Sequence, residues 1–138
     1  MMQKLSVFFL ALCSPVLSFA GMLVVVAESS PLTELDRHQV RQLYMDNASR
    51  FEGHAVMVLD MPEGSPQRQA FYQRATGKSS SQLKSYWARM IFTGQGMPPR
   101  QVKSVRDMVR TVQQDPHAVG YLQETEIQEG LRVLLRLP

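Results

Sequence analysis

The stretch AVMVLDMPEGSPQRQAFYQ, residues 55–73, carries the clearest structural signal in the sequence. Its first six residues are mostly apolar and predict a strand, while Pro62 and Gly64 predict the turn that follows. Ser65 is a favoured N-cap and Pro66 is favoured at the first helical position, so a helix should begin directly after the turn. The free N–H groups and the positive dipole end of such a helix suit an anion.

The same alternation of strands and helices continues on both sides of this stretch. Apolar runs predict strands at residues 22–27, 55–60, 118–122 and 131–137. Apolar residues at helical spacing predict helices at about 33–46, 65–77, 79–92 and 105–114. This order of elements indicates an α/β fold with a mainly parallel sheet and flanking helices.

Two local patterns predict the placement of individual helix residues. Thr33 with Asp36 resembles a capping box with a shortened acidic side chain, so we expect the first helix to begin near Thr33. In the third helix, Leu83, Trp87 and Ile91 are spaced at i, i+4 and i+8. This spacing predicts that the three side chains share one buried face.

The first twenty residues have the features of a cleaved secretory signal. Lys4 gives a positive start, residues 5–12 are apolar, and Ser18-Phe19-Ala20 has the small-x-small pattern of a cleavage site. The apolar stretch is shorter than a bilayer-spanning helix requires. We therefore expect a signal peptide at residues 1–20, a single domain at residues 21–138 and a periplasmic location.

Composition limits the classes of function that remain. Cys13 is the only cysteine, so the expected exported domain has no disulfide and depends on its apolar core. The chain has 15 Lys and Arg against 12 Asp and Glu, and its basic residues are spread along the sequence. That distribution argues against a nucleic-acid partner. No repeat or Gly/Ser linker divides the domain.

Residue patterns typical of enzymes and metal sites are missing from the sequence. The three histidines, His38, His54 and His117, have no metal-ligand spacing with one another. The segment EGSPQ, residues 63–67, lacks the second glycine of a serine-nucleophile elbow, and no nucleotide-binding phosphate loop occurs. We therefore expect no enzyme, no catalytic residue, no metal and no cofactor.

The turn before the second predicted helix is the remaining candidate site. Gly64 and Ser65 lie in the turn, and Arg68 follows one turn into the helix, where its guanidinium can bind an anion with two hydrogen bonds. Glu63 beside the turn opposes an anion, so the alternative is that Ser65 only caps the helix. We also expect Arg68 to be a surface residue whose removal leaves the fold intact.

Several motifs taken together resemble a known family. The segments EGSPQRQAFY (63–72), YWARMIFTGQGMPP (86–99) and AVGYL (118–122) occur in this order. They resemble the short PstS-like, periplasmic phosphate-binding-protein-like domain family, whose members are commonly labelled phosphate ABC transporter substrate-binding proteins. The resemblance extends from about Met22 to Leu135.

The resemblance implies a single lobe of the periplasmic-binding-protein type. It also implies binding of phosphate or another small oxyanion for transport or sensing, with a membrane transporter or envelope protein as partner. The family's Ser-Gly-Thr turn corresponds to residues 60–65, so Gly64 and Ser65 become expected anion contacts.

Two departures from the family pattern favour an alternative. Pro66 replaces the threonine and removes a hydroxyl and a backbone donor. The chain also has the length of one lobe, so the opposing half of the phosphate shell is missing. The alternative function is an envelope interaction module that kept the fold and lost ligand binding.

We expect the exported protein to begin at or near Gly21. Mass spectrometry of protein from the envelope fraction checks this expectation. Leu12 precedes Cys13, whereas a lipidated cysteine normally follows a small residue, so we expect no lipid. Retention of Met1, or a lipid on Cys13, would contradict the assignment of a cleaved signal.

Overall fold

The protein is described by a computed structural model that covers residues 21–138, and the expected signal peptide at residues 1–20 lies outside the described residues. The strands are β1 (Met22–Ala27), β2 (Arg50–Phe51), β3 (His54–Ala55), β4 (Met57–Asp60), β5 (Arg100–Gln101), β6 (Ala118–Gln123) and β7 (Leu131–Leu137). The α-helices are α1 (Arg37–Asp46), α2 (Pro66–Thr76), α3 (Ser80–Phe92) and α4 (Val105–Gln114). Within the described range, no helix combines the length and apolar character needed to cross a bilayer.

A five-stranded sheet with the strand order β5-β4-β6-β1-β7 forms the centre of the fold. Strand β4 pairs in parallel with β5 and β6, whereas β1 pairs antiparallel with β6 and β7. Four of the five strands therefore point in the same direction, and β1 alone in this sheet runs opposite to them. The expected mainly parallel sheet is confirmed, with β1 as its exception.

Helices cover both faces of the sheet. A Cβ placed on Gly120 of β6 would lie 2.6 Å from Met108 Sδ and 3.0 Å from Val112 Cγ2, so α4 packs closely on that face. The next residue, Tyr121, stacks on Phe71 of α2 with ring centroids 3.9 Å apart. Because successive strand residues point to opposite faces, α2 and α4 lie on opposite sides of the sheet.

The start of α2 follows the local signals in the sequence. The Ser65 hydroxyl oxygen accepts a hydrogen bond from the N–H of Arg68 at 3.2 Å, and Pro66 occupies the first helical position. The helix ends at Gly77, whose φ of 71° places it in the left-handed region that favours glycine. The strand–turn–helix predicted for this stretch is confirmed.

The start of α1 differs from the prediction. The helix begins at Arg37 rather than near Thr33, and Asp36 is its N-cap. Asp36 Oδ1 accepts from the N–H of Gln39 at 2.8 Å, and the Gln39 side chain accepts from the N–H of Asp36 at 2.9 Å. This reciprocal capping box satisfies the backbone N–H groups of Asp36 and Gln39. The helix therefore begins at Arg37 rather than near Thr33.

The predicted strand at residues 55–60 is divided into two. Only Met57–Asp60 joins the central sheet, while His54–Ala55 pairs with Arg50–Phe51 in a small separate hairpin. Its two turn residues, Glu52 and Gly53, both have positive φ values, as a tight hairpin turn requires.

The buried face of α3 also differs from the prediction. Leu83 and Trp87 are buried, and Met90 packs against the core, but Ile91 is 47% exposed. The buried stripe therefore follows i, i+4 and i+7, which turns the side chain at i+8 toward solvent. The expectation that Ile91 shares this face is wrong.

Replacement of Trp87 by alanine should lower the free energy of unfolding by about 3–5 kcal/mol, because it removes a large buried aromatic side chain. Trp87→Phe should cost less, since the buried indole N–H has no hydrogen-bond partner among the described residues. Ile91→Ala serves as the exposed control on the same helix. Urea unfolding followed by circular dichroism makes the measurement, and equal stability of wild type and Trp87→Ala would contradict the buried placement.

Candidate functional site

A buried carboxylate, Asp60, ends β4 immediately before the predicted anion-binding turn. Its side chain is completely buried. Oδ1 accepts from the Tyr121 hydroxyl at 2.5 Å and from the N–H of Met61 at 2.9 Å. Oδ2 accepts from the Tyr72 hydroxyl at 2.7 Å and from Nε of Arg68 at 3.1 Å. Four donors thus compensate the loss of hydration that burial imposes on the charge.

The protonation states of these partners keep them acting as donors. Burial, followed by the nearby charge of Asp60, raises the pKa of both Tyr72 and Tyr121. Burial alone lowers the pKa of Arg68, but its ion pair and hydrogen bond with Asp60 outweigh that effect and raise the pKa. The two hydroxyls therefore remain protonated and the guanidinium remains charged.

The position of Arg68 corrects the expectation that it is a surface residue. Its side chain is only 11% exposed, because its guanidinium pairs with Asp60 and lies 5.2 Å from the centre of the Tyr72 ring. Its Nη groups make no hydrogen bond to any residue in the described range. Arg68 is therefore partly committed to the fold and partly available at the surface.

The structure brings the three predicted anion contacts together. Gly64, Ser65 and Arg68 line one narrow pocket between α2 and the start of α3, and Lys78 and Ser80 line it from the other side. Its volume of about 10 Å³ is close to the space that one ordered water occupies. An ion as large as phosphate is therefore too large for the interior of the pocket and would have to bind at its mouth. The remaining lining residues are Gln69, Tyr72 and Leu83.

Few backbone donors remain at the start of α2. Pro66 has no N–H, the N–H of Arg68 donates to the Ser65 hydroxyl, and the N–H of Gln69 donates to the Ser65 carbonyl at 3.2 Å. The N–H of Gln67 makes no hydrogen bond to a described residue. The donors left for an anion at this helix start are the N–H groups of Gly64 and Gln67, the Ser65 hydroxyl hydrogen and the Arg68 Nη groups.

Sequence reasoning missed Lys78 and Ser80 because they belong to the next helix start. The sequence signal that could have located them is Gly77. Its left-handed conformation ends α2, so the residues after it lead into the start of α3. Lys78 adds a second positive charge beside Arg68, and its Nζ lies 5.7 Å from the centre of the Tyr86 ring. Glu63 is exposed but does not line the pocket.

Other chemistry has little support in the described residues. His38, His54 and His117 are all exposed. Among residues 21–138, no group of three or more His, Cys, Asp or Glu side chains is arranged to hold a metal ion. The pocket beside α2 is therefore the candidate functional site.

Comparisons with known proteins identify the fold through solved structures. No model of a known protein family matches the chain, and no curated protein matches it by sequence. An ABC-type phosphate transport receptor from Vibrio cholerae matches with a TM-score of 0.64 and 18% identity. A phosphate ABC transporter substrate-binding protein from Clostridium perfringens, solved with bound phosphate, matches with a TM-score of 0.64 and 15% identity. PstS from Borrelia burgdorferi matches with a TM-score of 0.55 and 12% identity.

These matches cover most of this chain but less than half of each neighbour. They cover 83% of this chain in every case, and 45%, 44% and 46% of the three neighbours in the order given. The chain therefore has the fold of a single lobe of the periplasmic-binding-protein type. The PstS-like fold that the sequence resemblance implied is confirmed.

Replacement of Arg68 by alanine should lower the free energy of unfolding by about 3 kcal/mol, because it leaves the buried Asp60 carboxylate without its cationic partner. Arg136→Ala is the matched control, since Arg136 pairs with Glu124 on the exposed surface and should contribute little. Urea unfolding at pH 7 compares the two variants. Equal stabilities would show that the Asp60–Arg68 pair does not support the fold.

Stability should fall at alkaline pH because of the buried tyrosines. Their pKa values are raised in the folded state, so above about pH 10 the unfolded chain loses tyrosine protons that the folded chain retains. This stabilising contribution is complete below about pH 10 and decreases by up to about 1.4 kcal/mol per pH unit for each tyrosine above it. Urea unfolding between pH 9 and 11 should give a shallower decline for Tyr72→Phe than for wild type, and parallel declines would contradict this account.

Proposed function

We propose that this chain binds a small tetrahedral oxyanion, with phosphate as the first candidate, at the mouth of the pocket between α2 and the start of α3. The observation that carries the proposal is the convergence of Arg68 and Lys78 with Gly64, Ser65 and Ser80 on one pocket. Two cations and two serine hydroxyls supply charge and hydrogen-bond donors to the same ion. The helix dipole at the start of α2 adds a favourable field.

The proposed site is open on one side, which limits its affinity. Water and salt screen each contact more strongly than they do in an enclosed site. The charge of Arg68 is also shared with Asp60, so Lys78 supplies the positive charge that has no carboxylate partner in the described range. We therefore expect a dissociation constant on the order of 1 mM, equivalent to about 4 kcal/mol of binding free energy.

We further propose an exported, non-enzymatic role in transport or sensing. The proposal combines the signal-like sequence of residues 1–20 with structural neighbours whose names describe phosphate transport and substrate binding. A membrane transporter or an envelope protein would then receive the bound oxyanion. Because the chain spans less than half the length of these neighbours, this role is proposed rather than transferred from them.

A second candidate function follows from the commitment of Arg68 to Asp60. If the arginine acts mainly as the partner of a buried carboxylate, the start of α2 is a capped helix end with few free donors. The chain would then be an envelope interaction module that kept the fold and lost ligand binding. Pro66 at the first helical position favours this alternative, because it supplies no N–H.

Titration of the purified protein with phosphate by calorimetry distinguishes the two functions. Oxyanion binding predicts a heat of binding at millimolar phosphate and a rise in melting temperature, with sulfate as a second oxyanion and chloride as a negative control. Lys78→Ala should weaken phosphate binding about tenfold through the loss of one close charge at the site. Lys84→Ala is the matched control, since Lys84 is exposed on α3 and does not line the pocket.

Two results would contradict oxyanion binding. One is the absence of both heat and thermal stabilisation with phosphate and sulfate. The other is an equal loss of affinity in the Lys78 and Lys84 variants, which would indicate non-specific attraction of anions. Either result would leave the interaction module as the better function.

A further inference from the structure

Acidic residues are absent from a long central part of the chain. Residues 64–106 contain eight Lys or Arg and no Asp or Glu, whereas the remaining positions contain seven Lys or Arg and all twelve Asp and Glu. The segment includes α2, α3 and β5. The small positive charge of the whole chain therefore conceals a strong separation of charge along the sequence.

The most exposed apolar side chains occur within the same segment. Phe92 at the end of α3 is 93% exposed, and Met97 in the following loop is 63% exposed. Ile91 beside Phe92 is also exposed. A phenylalanine with this degree of exposure projects from the surface, because almost none of its ring is covered by neighbouring residues.

Exposed basic residues accompany these apolar side chains. Arg89 lies one turn before Phe92 on α3, Lys84 lies earlier on the same helix, and Arg100 follows the loop that contains Met97. We define the α3 tip as Lys84, Arg89, Ile91, Phe92, Met97 and Arg100. None of these residues lines the oxyanion pocket, so an inference about the α3 tip is independent of the proposed oxyanion function.

We propose that the α3 tip docks on an anionic lipid bilayer. Projecting apolar side chains insert at the boundary of headgroups and acyl chains, and the basic residues around them contact the anionic headgroups. Neither signal is sufficient alone, because a few apolar side chains or a few basic residues give only marginal membrane binding. Their combination along α3 and the loop that follows it is the observation that carries the proposal.

Shape and charge favour a bilayer over two other occupants. A two-fold dimer through the α3 tip would place basic residues of one copy against the same residues of the other, which is unfavourable. An acidic protein would satisfy the charge, but it would also need an apolar pocket shaped to receive Phe92, whereas the interfacial region of a bilayer accepts an apolar side chain without such a fit. Phe92 at 93% exposure fits insertion into a soft, planar surface better.

Asp46 is an acidic residue beside the loop of the α3 tip and should oppose docking. Asp46 ends α1, and the neighbouring Asn47 donates to the carbonyl of Pro98 at 3.3 Å, which places the end of α1 beside the loop that contains Met97. Replacement of Asp46 by asparagine should therefore strengthen binding to an anionic bilayer. Circular dichroism of this variant checks that it stays folded, because unfolding would expose buried apolar side chains that also bind vesicles.

Sedimentation with lipid vesicles tests the proposal. The purified protein should bind vesicles of 30% phosphatidylglycerol in phosphatidylcholine more strongly than vesicles of phosphatidylcholine alone, and salt should weaken the binding. Arg89→Ala should reduce binding about fivefold and Phe92→Ser about tenfold. Arg110→Ala is the control, because Arg110 is an exposed residue of α4 on the opposite side of the sheet from α2.

A fluorescence reporter tests insertion directly. Trp87 is the only tryptophan, so Trp87→Phe combined with Phe92→Trp places a single indole at the α3 tip. Its emission should shift to shorter wavelength with anionic vesicles and remain unchanged with neutral ones. Absence of vesicle binding, equal losses in the Arg89 and Arg110 variants, or binding without an emission shift would each overturn the proposal. Binding to an acidic polyglutamate peptide but not to vesicles would instead identify a protein partner.

Discussion

The buried carboxylate of Asp60 is the interaction on which the arrangement of the site depends. It connects the end of β4 with α2 through Arg68 and Tyr72, and with β6 through Tyr121. A buried charge without these donors would cost several kcal/mol. The requirement to satisfy one carboxylate therefore fixes the first two turns of α2 against the sheet, and with them the turn at Gly64 and Ser65.

The same interaction limits what the candidate site can bind. An arginine that neutralises an internal carboxylate presents less net charge to an external anion than a free arginine does. The position of Arg68 is consequently well defined, while the net positive charge of the pocket comes mainly from Lys78. Arg68 is thus the precisely positioned cation of the pocket, and Lys78 is the main source of its attraction for an anion.

Sequence patterns predicted the parts of the fold that short-range interactions determine. The cap at Ser65, the end of α2 at Gly77 and the apolar strands were all visible because each depends on a few neighbouring residues. The partners of Asp60 were not visible, because Tyr121 lies 61 positions away. The exposure of Ile91 also depends on tertiary packing. Helical spacing shows which side chains of α3 point in similar directions, but it does not show how wide a face the rest of the protein covers.

The position of β1 in the sheet has a consequence for the order of folding. This first strand lies between β6 and β7, so its backbone partners are the last two strands of the described chain. Its six apolar residues have no native neighbours in the sheet until residues 118–137 have been synthesised. The central sheet therefore cannot be completed before that point, and the apolar strand is exposed to aggregation in the meantime.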